Sequence, residues 1–156
     1  MKKNFILSMV FALLFSTLAL SIGDSSASAA TMKPVPGSAG WKYRVEGPHV
    51  EGTDNDWHVH VEKGKIKGAE RVNGGKSHKK TLDSAGVPKS VQKNVKKTAD
   101  FKKGLEKQKK LDKERQKVSK YSLPQLVKNP SLVVTMAAVI GITVSNLLRH
   151  PSLIFG

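Results

Sequence analysis

Residues 57–62 read Trp57-His58-Val59-His60-Val61-Glu62, an unbroken alternation of apolar and polar side chains that decides the fold. Successive side chains on a strand point to opposite faces. Trp57, Val59 and Val61 therefore share one face, and His58, His60 and Glu62 share the other. The apolar face needs a cover, and the strand needs partners. Both flanks supply them. Upstream, Trp41-Lys42-Tyr43-Arg44-Val45-Glu46 alternates in the same way, and Gly47-Pro48 with residues 52–56 (GTDND) gives the turn chemistry between the two strands. Downstream, Lys63-Gly64 makes a short turn and Lys65 to Val72 pairs back, with Gly68 as a bulge. Asn73-Gly74 is the strongest hairpin turn in the chain. The expectation is an α+β fold built on a small antiparallel β-meander of three or four strands.

The cover comes next. Pro88 suits the first turn of a helix, and Val87, Val91 and Val95 fall four apart as a short apolar stripe. This short helix is expected to lie on the greasy face, completing a domain over 41–97. Trp41, Tyr43, Trp57, Val59, Val61, Ile66, Leu82, Val91 and Val95 are its expected core. A basic helical linker follows over 98–121, with Thr98 as N-cap and Asp100 in its first turn. Its apolar residues, Phe101, Leu105, Leu111 and Val118, are sparse, and Gly104 weakens it. Glu106 with Lys110 and Asp112 with Arg115 are spaced as helical ion pairs. The expectation is a solvated, partly frayed helix.

Both ends of the chain are hydrophobic. Lys2 and Lys3 precede the charge-free run 5–22, and Ala27-Ser28-Ala29-Ala30 offers the small residues that signal peptidase reads. Residues 1–30 are therefore expected to be a cleaved signal peptide. Residues 31–40, with two Pro and two Gly, form a flexible extended leader. At the other end, residues 132–148 hold no charge. At about 1.5 Å per residue they would make a helix of roughly 26 Å, close to hydrocarbon thickness. Within a hydrophobic segment over 122–156, a C-terminal membrane helix is expected at about 131–149. Asn129 and Pro130 open it, and Arg149 and His150 close it. Leu132, Val133, Val134, Val139, Ile140, Ile142, Val144, Leu147 and Leu148 form its apolar surface. Ala137, Gly141 and Ser145 recur every fourth residue as a small-residue stripe for helix–helix self-association. Asn129-Pro130-Ser131-Leu132 is echoed by His150-Pro151-Ser152-Leu153, so the chain ends in what reads as the start of another helix.

Charge narrows the partners. The formal net charge is +15, and loss of Lys2, Lys3 and Asp24 with the signal leaves +14. Such a balance favours an anionic membrane, an anionic cell-wall polymer or nucleic acid. The absence of cysteine excludes a disulfide framework and a thiolate metal site, and it fits an exported bacterial protein. The expected location is secreted, or extracytoplasmic and membrane-associated.

The histidines carry whatever chemistry the sequence offers. His49, His58, His60 and His78 lie close in sequence, and His78 sits in the basic loop 74–80, GGKSHKK. A metal-free ribonuclease needs a His base, a His acid and a Lys to steady the phosphorane. His58 or His60, His78 and Lys76 match those catalytic roles. A metal site needs three or four ligands, for which His49, His58, His60 and Glu62 or Asp56 are candidates. No His-Glu-x-x-His, Walker or Gly-x-Ser-x-Gly motif is present, so no metal or cofactor is expected from motif alone.

Gly47-Pro48-His49, Trp57 to Val61 and Gly74-Gly75-Lys76-Ser77-His78 together resemble compact C-terminal toxin modules of bacterial polymorphic toxins, over about residues 41–97. The resemblance implies a secreted effector, nuclease-like in activity. This chain differs in having its own signal peptide and hydrophobic tail. The whole layout is similar to precursors of secreted killing peptides such as the sporulation-delaying killing factors, without the Cys pair those peptides carry.

Two readings follow. In the favoured one the protein is not an enzyme. It associates with a membrane or anionic surface through its basic domain and C-terminal helix, as an antibacterial toxin or killing-peptide precursor with an immunity protein as partner. In the alternative it is an exported nuclease-like toxin using its His cluster.

Overall fold

A computed structural model describes residues 31–49 and 54–156. The expected signal peptide over 1–30 lies outside the described residues. Four strands form one antiparallel sheet in sequence order: β1 (Lys33–Pro34), β2 (Lys42–Glu46), β3 (His58–Lys63) and β4 (Ile66–Arg71). Six helices follow: α1 (Lys89–Lys97), α2 (Ala99–Val118), α3 (Leu123–Val127), α4 (Pro130–Ile140), α5 (Val144–Arg149) and α6 (Ser152–Phe155). The α+β meander is as expected, and its edge strand β1 falls within the stretch read as leader. Val35 is buried there, and its N–H donates to Trp41 O at 2.9 Å.

The alternation of β3 sets the register. Val59 and Val61 are fully buried with Tyr43, Leu82, Val87, Val91, Val95 and Phe101, so α1 and the start of α2 cover the greasy face. Ile66 is the exception to the expected core; it lies at the β3–β4 turn and is exposed. Gly68 pairs regularly with Val61 and is not a bulge. A Cβ there would lie 2.8 Å from Val87 Cγ2 and 3.1 Å from Leu82 Cδ2, so Gly68 lets the cover approach the sheet.

α2 joins two cores. Thr98 ends α1 and opens α2: its hydroxyl donates to Val95 O at 2.7 Å and accepts from Phe101 N at 3.3 Å. The first half of α2 packs on β2 at Gly104, where a Cβ would meet Val45 Cγ1 at 2.7 Å. The glycine read as a weakness is a contact point. The second half buries Leu111 and Val118 in a separate cluster with Leu126, Val133, Met136, Ala137, Ile140, Leu147, Leu153 and Ile154. The expected ion pairs along the helix are replaced. Glu106 pairs with Lys109 at 2.8 Å, while Asp112 accepts from Gln108 and Arg115 reaches Asp56.

The expected membrane helix is the main correction. Among the described residues no helix is long and apolar enough to cross a membrane. Residues 131–149 form two helices, because Gly141 takes a left-handed φ of 86° and Thr143 caps a new start by accepting from Asn146 N. Val133, Ile140 and Leu147 are buried in the cluster with Leu111 and Val118 of α2 rather than offered to lipid. Leu132, Val139, Ile142, Val144 and Leu148 pack partly against the same cluster, and Val134 is half-buried. The small-residue stripe does not form a face. Ala137 is buried in α4, Gly141 is the break, and Ser145 is exposed in α5.

Candidate metal centre on the polar face of the sheet

The face of β3 opposite the core carries His58 and His60. Register places Glu46 beside His58 and Arg44 beside His60 on β2, with Arg71 and Ala69 opposite them on β4. The chain then returns. His49 follows the Gly47-Pro48 turn, its N–H bonded to Asp54 O at 3.0 Å, and its ring sits edge-on to His58 with centroids 4.9 Å apart. His78 comes from the loop after β4, with its ring 5.3 Å from His58 and 5.2 Å from His60.

Asp54, fully buried, holds that loop. Its carboxylate accepts from Ser77 Oγ, from His78 N at 3.3 Å and from Arg71 Nε at 3.1 Å. His78 and Lys79 both adopt left-handed φ values, 49° and 64°. For residues with a Cβ this conformation is costly, and it persists only where the surroundings over-determine it.

The ligating atoms converge. His49 Nε2 lies 3.2 Å from His58 Nε2. Glu46 Oε2 lies 3.0 Å from His60 Nε2, 3.6 Å from His58 Nε2 and 3.8 Å from His49 Nε2. Two triads meet at His58: His49, His58 and His78, which opens to solvent at His78, and the more enclosed Glu46, His58 and His60. In each, the donor atoms lie within 4.8 Å of one another. Tetrahedral zinc with bonds of about 2.0–2.1 Å sets its ligand nitrogens roughly 3.3 Å apart, close to the His49–His58 separation.

The imidazoles are prepared for this. His58 Nδ1 donates to Asp56 O at 2.9 Å, which leaves Nε2 with its lone pair facing the cluster. Burial lowers the His58 pKa, with the Asp56 carbonyl and the Asp54 charge opposing. Burial also pushes His60 down to about 3, aided by His58 and Arg44. Both shifts favour the neutral ring, the form that binds a metal. With His58 Nε2 as the acceptor, the contact at 3.2 Å is a hydrogen bond donated by His49 Nε2–H.

His58, His60 and His78 are thus brought together as the sequence suggested. Lys76 is not part of the cluster's hydrogen-bond network; it is exposed, and its backbone bridges Glu70. Glu46 is the carboxylate at the site, not Glu62 or Asp56. Asp56 faces away, paired with Arg71 Nη1 at 2.8 Å and Arg115 Nη1 at 2.5 Å. Glu46 ends an alternating strand just before Gly47-Pro48-His49, and that position is its sequence signal. No family model matches this chain, and no curated protein or solved structure matches it significantly.

Proposed function

We propose that this is an exported hydrolase of phosphodiester bonds whose centre is a divalent cation of the zinc class held by His49, His58 and His78. The observation that carries the reading is the convergence of His49, His58 and His78 from three separate segments, with ligand atoms within 4.8 Å of one another and the His58 tautomer fixed. The triad that opens to solvent is the working one, since a substrate must reach it. Three protein ligands leave a coordination position open. A cation there supplies Lewis-acid polarisation of the phosphoryl oxygen and acidifies water. Glu46, beside all three of His49, His58 and His60, is placed to accept the proton of the attacking water. Export rests on residues 1–30, and a polyanionic substrate fits the net charge.

The test uses the mature chain stripped with EDTA. Zinc titration against a chromophoric competitor should show one tight equivalent, and cobalt should give the visible absorption of a tetrahedral site. His78→Gln, at the exposed ligand, should weaken zinc at least tenfold with the fold intact. Glu46→Gln should keep the metal and lose at least a hundredfold in cleavage of bis(p-nitrophenyl) phosphate. Cleavage indifferent to EDTA would overturn the reading. So would zinc affinity untouched by His78→Gln and lost in His60→Gln, which would move the ion to the enclosed triad.

A further inference from the structure

Among the described residues, the buried side-chain nitrogens without a hydrogen-bond partner are Arg44 Nε, Trp57 Nε1 and His60 Nε2. Arg44 Nε and His60 Nε2 lie 3.1 and 3.0 Å from Glu46 oxygens, but outside hydrogen-bond geometry. Native interiors leave few such atoms, and each calls for an explanation. Arg44, Trp57 and His60 are among the residues around two depressions that share Arg44 as their common wall. One is lined by Arg44, His60, Glu62 and Lys67, with Met32, Val61 and Gly68 beside them. The other runs along the open edge of β2, between Arg44, Lys33, Trp57, Lys103 and Lys107, with Asp100 at its side.

The second depression is short of negative charge. Asp100 is already taken by Lys33 at 2.7 Å and by Tyr43 Oη at 3.1 Å. Neither Lys103 nor Lys107 is in an ion pair among the described residues. Lys107 sits over the Trp57 ring, 4.3 Å from its centroid. Burial and then the charges of Lys103 and Lys110 lower its pKa.

Resting on the hydrolytic reading above, we infer that the two depressions form one track for a single strand of nucleic acid. Arg44, Lys103 and Lys107 hold its phosphates, and His60 marks where the track enters the centre. A phosphodiester chain brings repeated acceptor oxygens along a path, which suits a concave edge that gathers Lys33, Arg44, Lys103 and Lys107, the last two in no ion pair among the described residues.

The experiment measures anisotropy of a labelled 20-nucleotide single strand with the full mature chain in EDTA, across a salt series. Lys103→Gln with Lys107→Gln should weaken binding at least tenfold. It should also flatten the salt slope by about 1.4, at roughly 0.7 for each phosphate no longer neutralised. Lys93→Gln with Lys97→Gln removes the same charge from the exposed face of α1 and should change affinity less than twofold. Equal losses in both lysine pairs would overturn the track, as would no strand binding by a protein that binds phosphatidylglycerol vesicles. Strand binding that persists in zinc-free His78→Gln protein supports the track even if the centre fails. Intact zinc binding with strand affinity unmoved by the groove variants overturns the track alone.

Discussion

Arg115 of α2 places Nη1 2.5 Å from Asp56 Oδ1, joining the helical half of the molecule to the strand that carries His58. The same guanidinium donates from Nη2 to Asn55 O at 2.6 Å and to Leu153 O at 3.2 Å, so one side chain ties the 54–57 segment to both α2 and α6. Its side chain is only 12% exposed. Removing one partner of a buried pair strands the other. Asp56 keeps Arg71 and Gln108, which softens the loss. Arg115→Ala is expected to cost about 2–4 kcal/mol. Urea unfolding measures it, and a double-mutant cycle with Asp56→Asn should show coupling above 1 kcal/mol, roughly. A coupling near zero would mean that α2 and the site stand independently.

Ser77 tests how the solvent-facing ligand is fixed. Its hydroxyl and the His78 N–H share one oxygen of buried Asp54, and this holds His78 in its left-handed conformation. Partners that orient a metal-binding histidine are typically worth about 10–100-fold in affinity. Ser77→Ala should weaken zinc by that factor with little change in Tm. Unchanged affinity would show that the loop is set by its backbone alone.

Gly104 decides between helix propensity and packing. Alanine at a helix interior is favoured over glycine by about 1 kcal/mol. Here the added Cβ would lie 2.7 Å from Val45 Cγ1, on a β-branched side chain with little freedom to turn. Overpacking of this kind costs about 1–3 kcal/mol. Gly104→Ala is expected to lower Tm, with Val45→Ala restoring part of the loss. A higher Tm in Gly104→Ala would place α2 farther from β2 than described.

The polar face was legible because a period of two is local. His58 and His60 had to share a face whatever strand lay beside them. Glu46 was not legible as the site's carboxylate, since its place depends on the pairing of Glu46 with His58 across a turn of unpredictable path. Glu62, nearer in sequence, was the natural candidate. The C-terminal segment shows the opposite failure. Its stop and start signals, Gly141 and Thr143, stood in the sequence. A charge-free run that long reads as one span only if nothing else can cover it. Leu111 and Val118, seven residues apart on a helix dense with lysine, looked too sparse to do so, yet both are buried in the cluster that covers it.

The Lys33–Asp100 pair predicts a pH dependence. The hydrogen bond from Lys33 holds the Asp100 carboxyl below the usual aspartate range, with Tyr43 Oη assisting against a small burial effect. A carboxylate with a depressed folded pKa stabilises the fold above its unfolded pKa, and the contribution disappears as pH falls through the folded value. The Lys33 pKa is raised by the same hydrogen bond, so its share is lost only in the alkaline range. Both groups are well exposed, so the effect should be small and should fade with salt. Asp100→Asn should flatten the acid limb of Tm against pH between ordinary aspartate titration and the lower folded value. Carboxyl NMR that finds Asp100 titrating at its ordinary value would remove the prediction.

Leu147 tests whether the apolar tail is a docked part of the fold. It is fully buried, on a six-residue helix too short to hold itself together, in a cluster that also holds Leu111, Met136 and Leu153 of three other helices. Leucine to alanine in such a setting costs about 2–5 kcal/mol, from lost transfer energy and the cavity left behind. Leu147→Ala in the full mature chain should therefore lower stability by that amount, read from urea unfolding followed by tryptophan fluorescence. Trp57 is the right reporter, because it packs against both clusters. Leu148→Ala, one residue on and only half-buried, should cost distinctly less. Equal and negligible losses at both positions would mean that α5 leaves α2 in solution. The apolar run would then be free for another surface.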